Sequence, residues 1–69
     1  MEIGKRVREL RLERDLTQGE LGDRAGVSLQ AVSLIETGHR VPSATTVEGI
    51  ARGLGVEPGV LFQDPLGVA

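Results

Sequence analysis

Few side chains in this 69-residue sequence could carry out chemistry, and those that could are mostly hydrogen-bonding groups. Gln18, Gln30 and Arg40 present amide or guanidinium groups, which pair with planar polar partners or bind anions. The only histidine is His39, and no cysteine, second histidine or carboxylate accompanies it at metal-ligand spacing. Ser43 lacks a partner base and does not make a nucleophile by itself. We therefore expect a binding surface, with no enzyme activity, metal or cofactor.

Two amphipathic helices are predicted at the N-terminus. The apolar residues of the first recur at i, i+4 and i+7 over residues 2–14, and they are Ile3, Val7 and Leu10. Thr17 and Glu20 have the spacing of a capping box, which predicts a second helix over residues 17–25. Gly26 follows this helix, and a glycine in the left-handed conformation commonly ends a helix.

A third helix is predicted over residues 28–37, with Ser28 as its N-cap. Its inward side carries Ala31, Val32 and Ile35, and its outward side carries Leu29, Gln30, Ser33, Leu34 and Thr37. Residues 17–37 therefore have the outline of a helix-turn-helix. This motif projects its second helix outward, and the exposed side of that helix can enter the major groove of DNA.

The remaining sequence predicts two more helices. Ser43 caps a fourth helix that Gly55 closes, and its apolar stripe consists of Val47, Ile50, Ala51 and Leu54. Pro58 suits the first turn of a short fifth helix, in which Leu61 and Phe62 would cover the core. Residues 64–69 resemble a frayed end or the start of a linker. We expect an all-α, compact five-helix bundle forming a single domain over residues 1–69.

Glycines interrupt the second and the fourth of these predicted helices. Gly22 and Gly53 are expected to permit close helix crossings, because a glycine lets two backbones approach. For Gly19 and Gly49 the sequence offers no such interpretation. Each is expected to lower the stability of its helix by about 1 kcal/mol relative to alanine.

The charge balance gives mixed indications. A net charge of −2 and a pI of about 5.2 are unusual for a nucleic-acid binder, since such domains normally carry excess positive charge. The cations, however, crowd the first helix and flank the motif at Arg24, His39 and Arg40. The chain has no apolar run of about 18 residues and no signal-peptide core. We expect a soluble cytoplasmic protein without membrane contact.

Taken in order, these segments resemble the phage-repressor and Cro-like helix-turn-helix family of DNA-binding domains. The resemblance rests on Ile3-Gly4, Arg8, Leu10-Arg11, Leu16-Thr17-Gln18, Leu21, Ala25-Gly26-Val27-Ser28, Val32, Ile35-Glu36, Gly38, Pro42-Ser43, Ala51 and Leu54-Gly55-Val56. It implies the lambda-repressor-like fold and a transcriptional regulator, usually a repressor. Members mostly bind palindromic double-stranded operators as homodimers.

The resemblance also implies roles for individual residues. Base readers in the major groove would be Leu29, Gln30, Ser33 and Leu34. Contacts to the DNA backbone would come from Arg11, Gln18, Ser28, His39, Arg40 and Ser43. Arg11 and Glu36 would form a partly buried ion pair. Apolar residues near the C-terminus are expected to be exposed and to supply the dimer contact, namely Val60, Leu61, Phe62 and Leu66.

Leu29 and Leu34 depart from the family pattern, in which polar or basic residues are commoner. As leucines they could contact only thymine methyl groups or sugars, or they could instead cover the edge of the core or dock a protein. Together with the acidic pI, they keep open a second interpretation. In that interpretation the chain is a protein-interaction module on the same fold, antitoxin-like or regulator-sequestering. Gln18 and His39 could equally be solvated surface residues, and Arg11 and Glu36 separate exposed charges.

Overall fold

A computed structural model of the chain describes residues 3–62, and their helical structure confirms the all-α prediction. The elements are α1 (Ile3–Glu13), α2 (Gln18–Ala25), α3 (Leu29–Glu36), α4 (Ala44–Leu54) and a 3₁₀ turn (Pro58–Phe62). The prediction of a fifth helix in the bundle is wrong. The last element is a 3₁₀ turn, in which the Val60 N–H donates to the Glu57 carbonyl at 3.0 Å. Proline and glycine begin this element, and both are poor residues for extending an α-helix. None of the helices described is long and apolar enough to span a bilayer.

The predicted capping box at the start of α2 is present. The Glu20 N–H donates to the Thr17 hydroxyl at 3.0 Å, and the Thr17 N–H donates to the Glu20 carboxylate at 2.8 Å. The Thr17 backbone N–H lowers the pKa of Glu20, since it stabilises the charged carboxylate. This stabilisation is therefore complete above the ordinary pKa of a glutamate and is lost as the pH falls through the lowered value. At the other end of α2, Gly26 takes a φ of 77°.

The apolar stripes of the four helices meet in one core. Its fully buried large side chains are Val7, Leu21, Val32, Ile35, Ile50 and Leu61. Leu61 covers the open end of the bundle and has no exposed surface, whereas its neighbour Phe62 is 49% exposed. The prediction that Phe62 helps to cover the core is therefore wrong, because the 3₁₀ turn directs only one of these two adjacent side chains inward.

Two arginines hold the C-terminal end of α4. Arg14, in the turn just after α1, donates from Nε to the Leu54 carbonyl at 2.5 Å, and Arg24 of α2 donates from Nη1 to the Gly53 carbonyl at 3.4 Å. Carbonyls of the last helical turn lack partners within the helix and carry the negative end of its dipole. These cations therefore stabilise the bundle, and their guanidinium groups are directed toward α4.

The helices cross closely at glycines. A Cβ atom at Gly49 of α4 would lie 2.5 Å from the Ala25 carbonyl oxygen, and one at Gly22 of α2 would lie 2.7 Å from the Val27 carbonyl oxygen. Both distances are too short for a real Cβ contact, and both involve backbone atoms that cannot rotate away. Gly49, which has no interpretation from the sequence, thus sets the separation between α4 and the end of α2.

We predict opposite effects for the same substitution at two helical glycines. Gly49→Ala should lower the free energy of unfolding by about 2 kcal/mol, because α2 and α4 must separate to admit the methyl group. Gly19→Ala should raise it by about 0.5 kcal/mol, because its methyl group would make only ordinary contact, 3.5 Å from Leu29 Cδ1. Urea denaturation followed by circular dichroism measures both values. Equal effects at the two positions would contradict the close crossing at Gly49.

Candidate nucleic-acid interface

The outward side of α3 is the most accessible helical surface in the motif. Leu29 is 49% exposed and Leu34 is 38% exposed, while Gln30 is exposed and Ser33 is half-buried between them. The opposite side of the helix is buried in the core through Ala31, Val32 and Ile35. All four residues predicted to read bases therefore lie on one face, which the core holds away from the bundle.

A tight connection fixes the angle between α2 and α3. The Val27 N–H donates to the Gly22 carbonyl at 2.9 Å, and the Ser28 hydroxyl accepts the Ala31 N–H at 3.0 Å as the N-cap of α3. Gly22 packs directly against the backbone that follows Val27. Ser28 is predicted to contact the DNA backbone. It is exposed at the start of α3, so it can cap this helix and still be reached by a ligand from solvent.

Glu36, the last residue of α3, gathers three helices around one carboxylate. Arg11 Nε donates to Glu36 Oε2 at 2.7 Å, and Arg11 Nη2 donates to Oε1 at 3.1 Å. Gln18 Nε2 donates to Oε1 at 3.1 Å as well. Arg11 completes the network by donating from Nη1 to the Leu16 carbonyl at 2.7 Å. The expected ion pair is thus present, and it joins α1, the start of α2 and the end of α3.

The network includes two residues that are predicted to contact the DNA backbone, Arg11 and Gln18. Arg11 is only 8% exposed and three of its guanidinium nitrogens donate inside the protein, so it stabilises the domain, and its contact to DNA stays a prediction. That Gln18 shares the Glu36 carboxylate could not be inferred from local sequence patterns. Gln18 is half-buried at the first turn of α2, where its backbone N–H still points out of the helix N-terminus.

The segment after α3 presents polar groups beside the same face. The Thr37 hydroxyl donates to the Ser33 and Leu34 carbonyls at 3.0 and 3.2 Å, and His39 Nδ1 lies 2.9 Å from the Thr37 hydroxyl oxygen. The donor and acceptor of that contact follow from the tautomer of the imidazole. His39 and Arg40 are both exposed.

Ser43 begins α4 next to this segment. Its hydroxyl accepts the Thr46 N–H at 3.2 Å and donates to the Thr46 hydroxyl at 3.0 Å. An open groove of about 310 Å³ separates this helix start from the underside of α3, with Arg40 and Val41 at its edge. His39, Arg40 and Ser43 are therefore arranged on a surface loop beside α3, whereas Gln18 lies at its other side.

The electrostatics of the motif are close to balanced. Residues 17–43 contain three carboxylates, Glu20, Asp23 and Glu36, and two arginines, Arg24 and Arg40. Arg24 is directed to α4 and Glu36 to Arg11. Within this segment Arg40 is thus the arginine whose charge is directed to solvent, and the interface offers few cations to phosphate.

Of the residues expected to supply a dimer contact, the structure buries one and leaves others at least partly exposed. The expectation that Leu61 is exposed is wrong, because it is fully buried in the core. Val60 is half-buried, and Phe62 beside it presents an apolar surface to solvent. Leu66 and the tail over residues 64–69 lie outside the described residues.

An outward-facing second helix, fixed to its predecessor by a tight turn and a buried carboxylate, defines a helix-turn-helix domain. The helix-turn-helix family profile matches residues 7–61. The immunity repressor protein of Bacillus phage phi105 is 37% identical over 57 residues, which are 83% of this chain and 40% of that protein. The chain belongs to the helix-turn-helix family of DNA-binding transcriptional regulators, which is not an enzyme family. The chain spans less than half the length of that phage relative.

Solved structures agree with this membership. The restriction-modification controller protein C.AhdI from Aeromonas hydrophila superposes with a TM-score of 0.86 at 34% identity, covering 88% of this chain and 92% of that chain. The P22 c2 repressor protein, in complex with a synthetic operator, superposes with a TM-score of 0.83 at 28% identity and the same coverage. The resemblance inferred from the sequence is therefore confirmed.

We predict that Arg11 and Glu36 are strongly coupled. Arg11→Met should lower the free energy of unfolding by about 3 to 5 kcal/mol, since it leaves a carboxylate buried without its cation. Glu36→Leu should cost a similar amount, and the double variant should cost less than the two single losses combined. Chemical denaturation of the four proteins measures the coupling energy.

Glu13→Gln is the matched control for this cycle. Glu13 faces Arg14 at 3.8 Å with 64% of its side chain exposed, so removing its charge should cost less than about 1 kcal/mol. Strictly additive losses at Arg11 and Glu36 would show that the pair is no more than two independent surface charges.

Proposed function

We propose that this chain is a sequence-specific repressor that inserts α3 into the major groove of an operator. The observation that carries this proposal is the outward face of α3, which is exposed along its length while the opposite face is locked in the core. Gln30 and Ser33 supply hydrogen-bonding groups at the centre of that face, and a glutamine amide pairs bidentately with adenine. The similarity to the P22 c2 repressor, solved in complex with an operator, supports the same orientation. Its place of action would be the cytoplasm, where it reaches DNA.

The flanks of α3 would contact the DNA backbone. On one side the Gln18 backbone N–H at the start of α2 offers a positive helix end to a phosphate. On the other side Arg40 and His39 are exposed on the loop, with Ser43 beside them. These contacts position the domain on the duplex, whereas the face of α3 reads the sequence.

We expect binding as a homodimer on a palindromic operator. Each protomer directs few cations toward phosphate, so one protomer alone would bind weakly. Two copies of α3 would read half-sites about 34 Å apart, one turn of the double helix. Val60 and Phe62, together with Leu66, are the residues we assign to the contact between protomers. Phe62 supports this assignment because a large apolar side chain is exposed next to a buried one.

A second candidate function is supported by the near-balanced charge of the motif. Leu29 and Leu34 expose apolar surface on α3, and the surrounding segment has more carboxylates than arginines. Those two features suit a protein partner that docks on α3 better than they suit phosphate. In this alternative the chain is an interaction module, antitoxin-like or regulator-sequestering.

Selection from a random pool of DNA duplexes distinguishes the two candidates. Purified protein at low salt should enrich a palindrome, and the spacing of its halves would report the dimer geometry. Failure of the folded protein to enrich any sequence would contradict operator binding and favour the interaction module.

We predict different losses for two substitutions at this interface. Gln30→Ala should reduce discrimination at one base position by about 1 to 3 kcal/mol, because the amide reads a base edge. Arg40→Ala should weaken binding to all sequences alike and reduce the slope of log K against log salt by about 1 per protomer. Fluorescence anisotropy with operator variants over a salt series measures both effects.

Arg52→Ala is the control for lost charge, because Arg52 is an exposed arginine on α4 rather than beside α3. It should leave both discrimination and salt slope unchanged. An equal loss across every operator variant for Gln30→Ala would remove that residue from the readers.

A further inference from the structure

The outward face of α3, which is proposed to read bases, has an unusual set of side chains. The helix runs Leu29-Gln30-Ala31-Val32-Ser33-Leu34-Ile35-Glu36, and it contains no lysine or arginine. A bidentate contact from arginine or lysine to guanine is the commonest specific contact in the major groove, and this helix has no side chain to make it. Its outward groups are one amide, one hydroxyl and two leucines.

The two leucines occupy opposite edges of that face. At about 100° per residue, Leu29 and Leu34 are separated by about 140° around the helix, with Ser33 and Gln30 between them. Five residues also separate them by about 7.5 Å along the axis. When α3 lies along the groove, that distance corresponds to about two base-pair steps of 3.4 Å, which places the two leucines against different bases. Each leucine therefore requires its own partner.

Among the base edges of the major groove, only one group is apolar. Guanine, adenine and cytosine present acceptors and donors there, whereas thymine adds its C5 methyl group. A leucine placed against a donor or acceptor would remove it from water without a partner, which costs free energy. Against a methyl group, the same leucine buries apolar surface on both molecules.

The geometry points to a half-site dominated by A·T pairs, in which Leu29 and Leu34 each contact the methyl group of a separate thymine and Gln30 pairs with an adenine. This inference rests on the proposed operator binding and names the base pairs that the site reads. The leucines then determine specificity by packing, at the two edges of a polar centre.

Uracil substitution tests the inference on the wild-type 69-residue chain, because it deletes only the methyl group. Operators obtained by selection are resynthesised with uracil in place of one thymine at a time, symmetrically in both halves. We expect two thymine positions per half-site at which affinity falls. The loss should be about four-fold per methyl contact, or about fifteen-fold when both halves carry uracil.

Leucine variants assign the two positions. Leu29→Ala should abolish uracil sensitivity at one position and leave the other intact, and Leu34→Ala should do the reverse. Leu29→Met, which keeps an apolar side chain of similar reach, should retain sensitivity. Leu12→Ala is the matched control, since Leu12 is 53% exposed but lies on α1; both sensitivities should survive. If a variant fails to fold, the uracil series measured with the wild-type protein still tests whether thymine methyl groups are contacted.

The possible outcomes distinguish this inference from the proposed operator binding on which it rests. An enriched operator that binds equally well with uracil at every thymine would overturn methyl reading and leave operator binding intact. An operator rich in G·C at the positions contacted by α3 would overturn it as well. Failure to enrich any operator would overturn both the inference and the proposed function.

Discussion

The carboxylate of Glu36 is the constraint on which the geometry of the motif depends. It lies at the end of α3, yet its partners come from the last turn of α1 and the first turn of α2. Arg11 extends the same network to the Leu16 carbonyl in the connection between those helices. A helix that is to enter a groove must keep a fixed angle, and a bidentate, nearly buried ion pair resists rotation more effectively than apolar contacts do.

Three arginines of this chain make hydrogen bonds that hold its helices together. Arg11 neutralises a buried carboxylate, and Arg14 and Arg24 hold carbonyls at the end of α4. Small bundles have little apolar area to bury, so charge-assisted hydrogen bonds to helix ends contribute usefully to their stability. The count of basic residues in the sequence therefore overstates the positive charge available to a phosphate backbone.

Local signals allowed much of the fold to be predicted from the sequence. The capping box of Thr17 and Glu20, the left-handed Gly26 and the apolar stripe of α3 depend on neighbouring residues only, and the structure contains each of them. Features that depend on distant contacts were not predictable. The crossing at Gly49 requires knowing that α4 passes the end of α2.

The same limit applies to the candidate site. The outward positions of α3 follow from helical periodicity, but the second partner of Glu36, Gln18, follows from the tertiary arrangement alone. Leu61 and Phe62 are both apolar, and only the geometry of the 3₁₀ turn decides which of them is buried.

The scarcity of outward-directed cations beside α3 has a consequence for how such a regulator is distributed in a cell. Sequence-independent attraction to phosphate holds most DNA-binding proteins on the bulk chromosome, away from their targets. A domain with few such contacts leaves a larger fraction of its molecules in free solution. Under the proposed operator binding, occupancy would then follow the total concentration of the protein closely, and modest changes in its synthesis would change transcription from that operator.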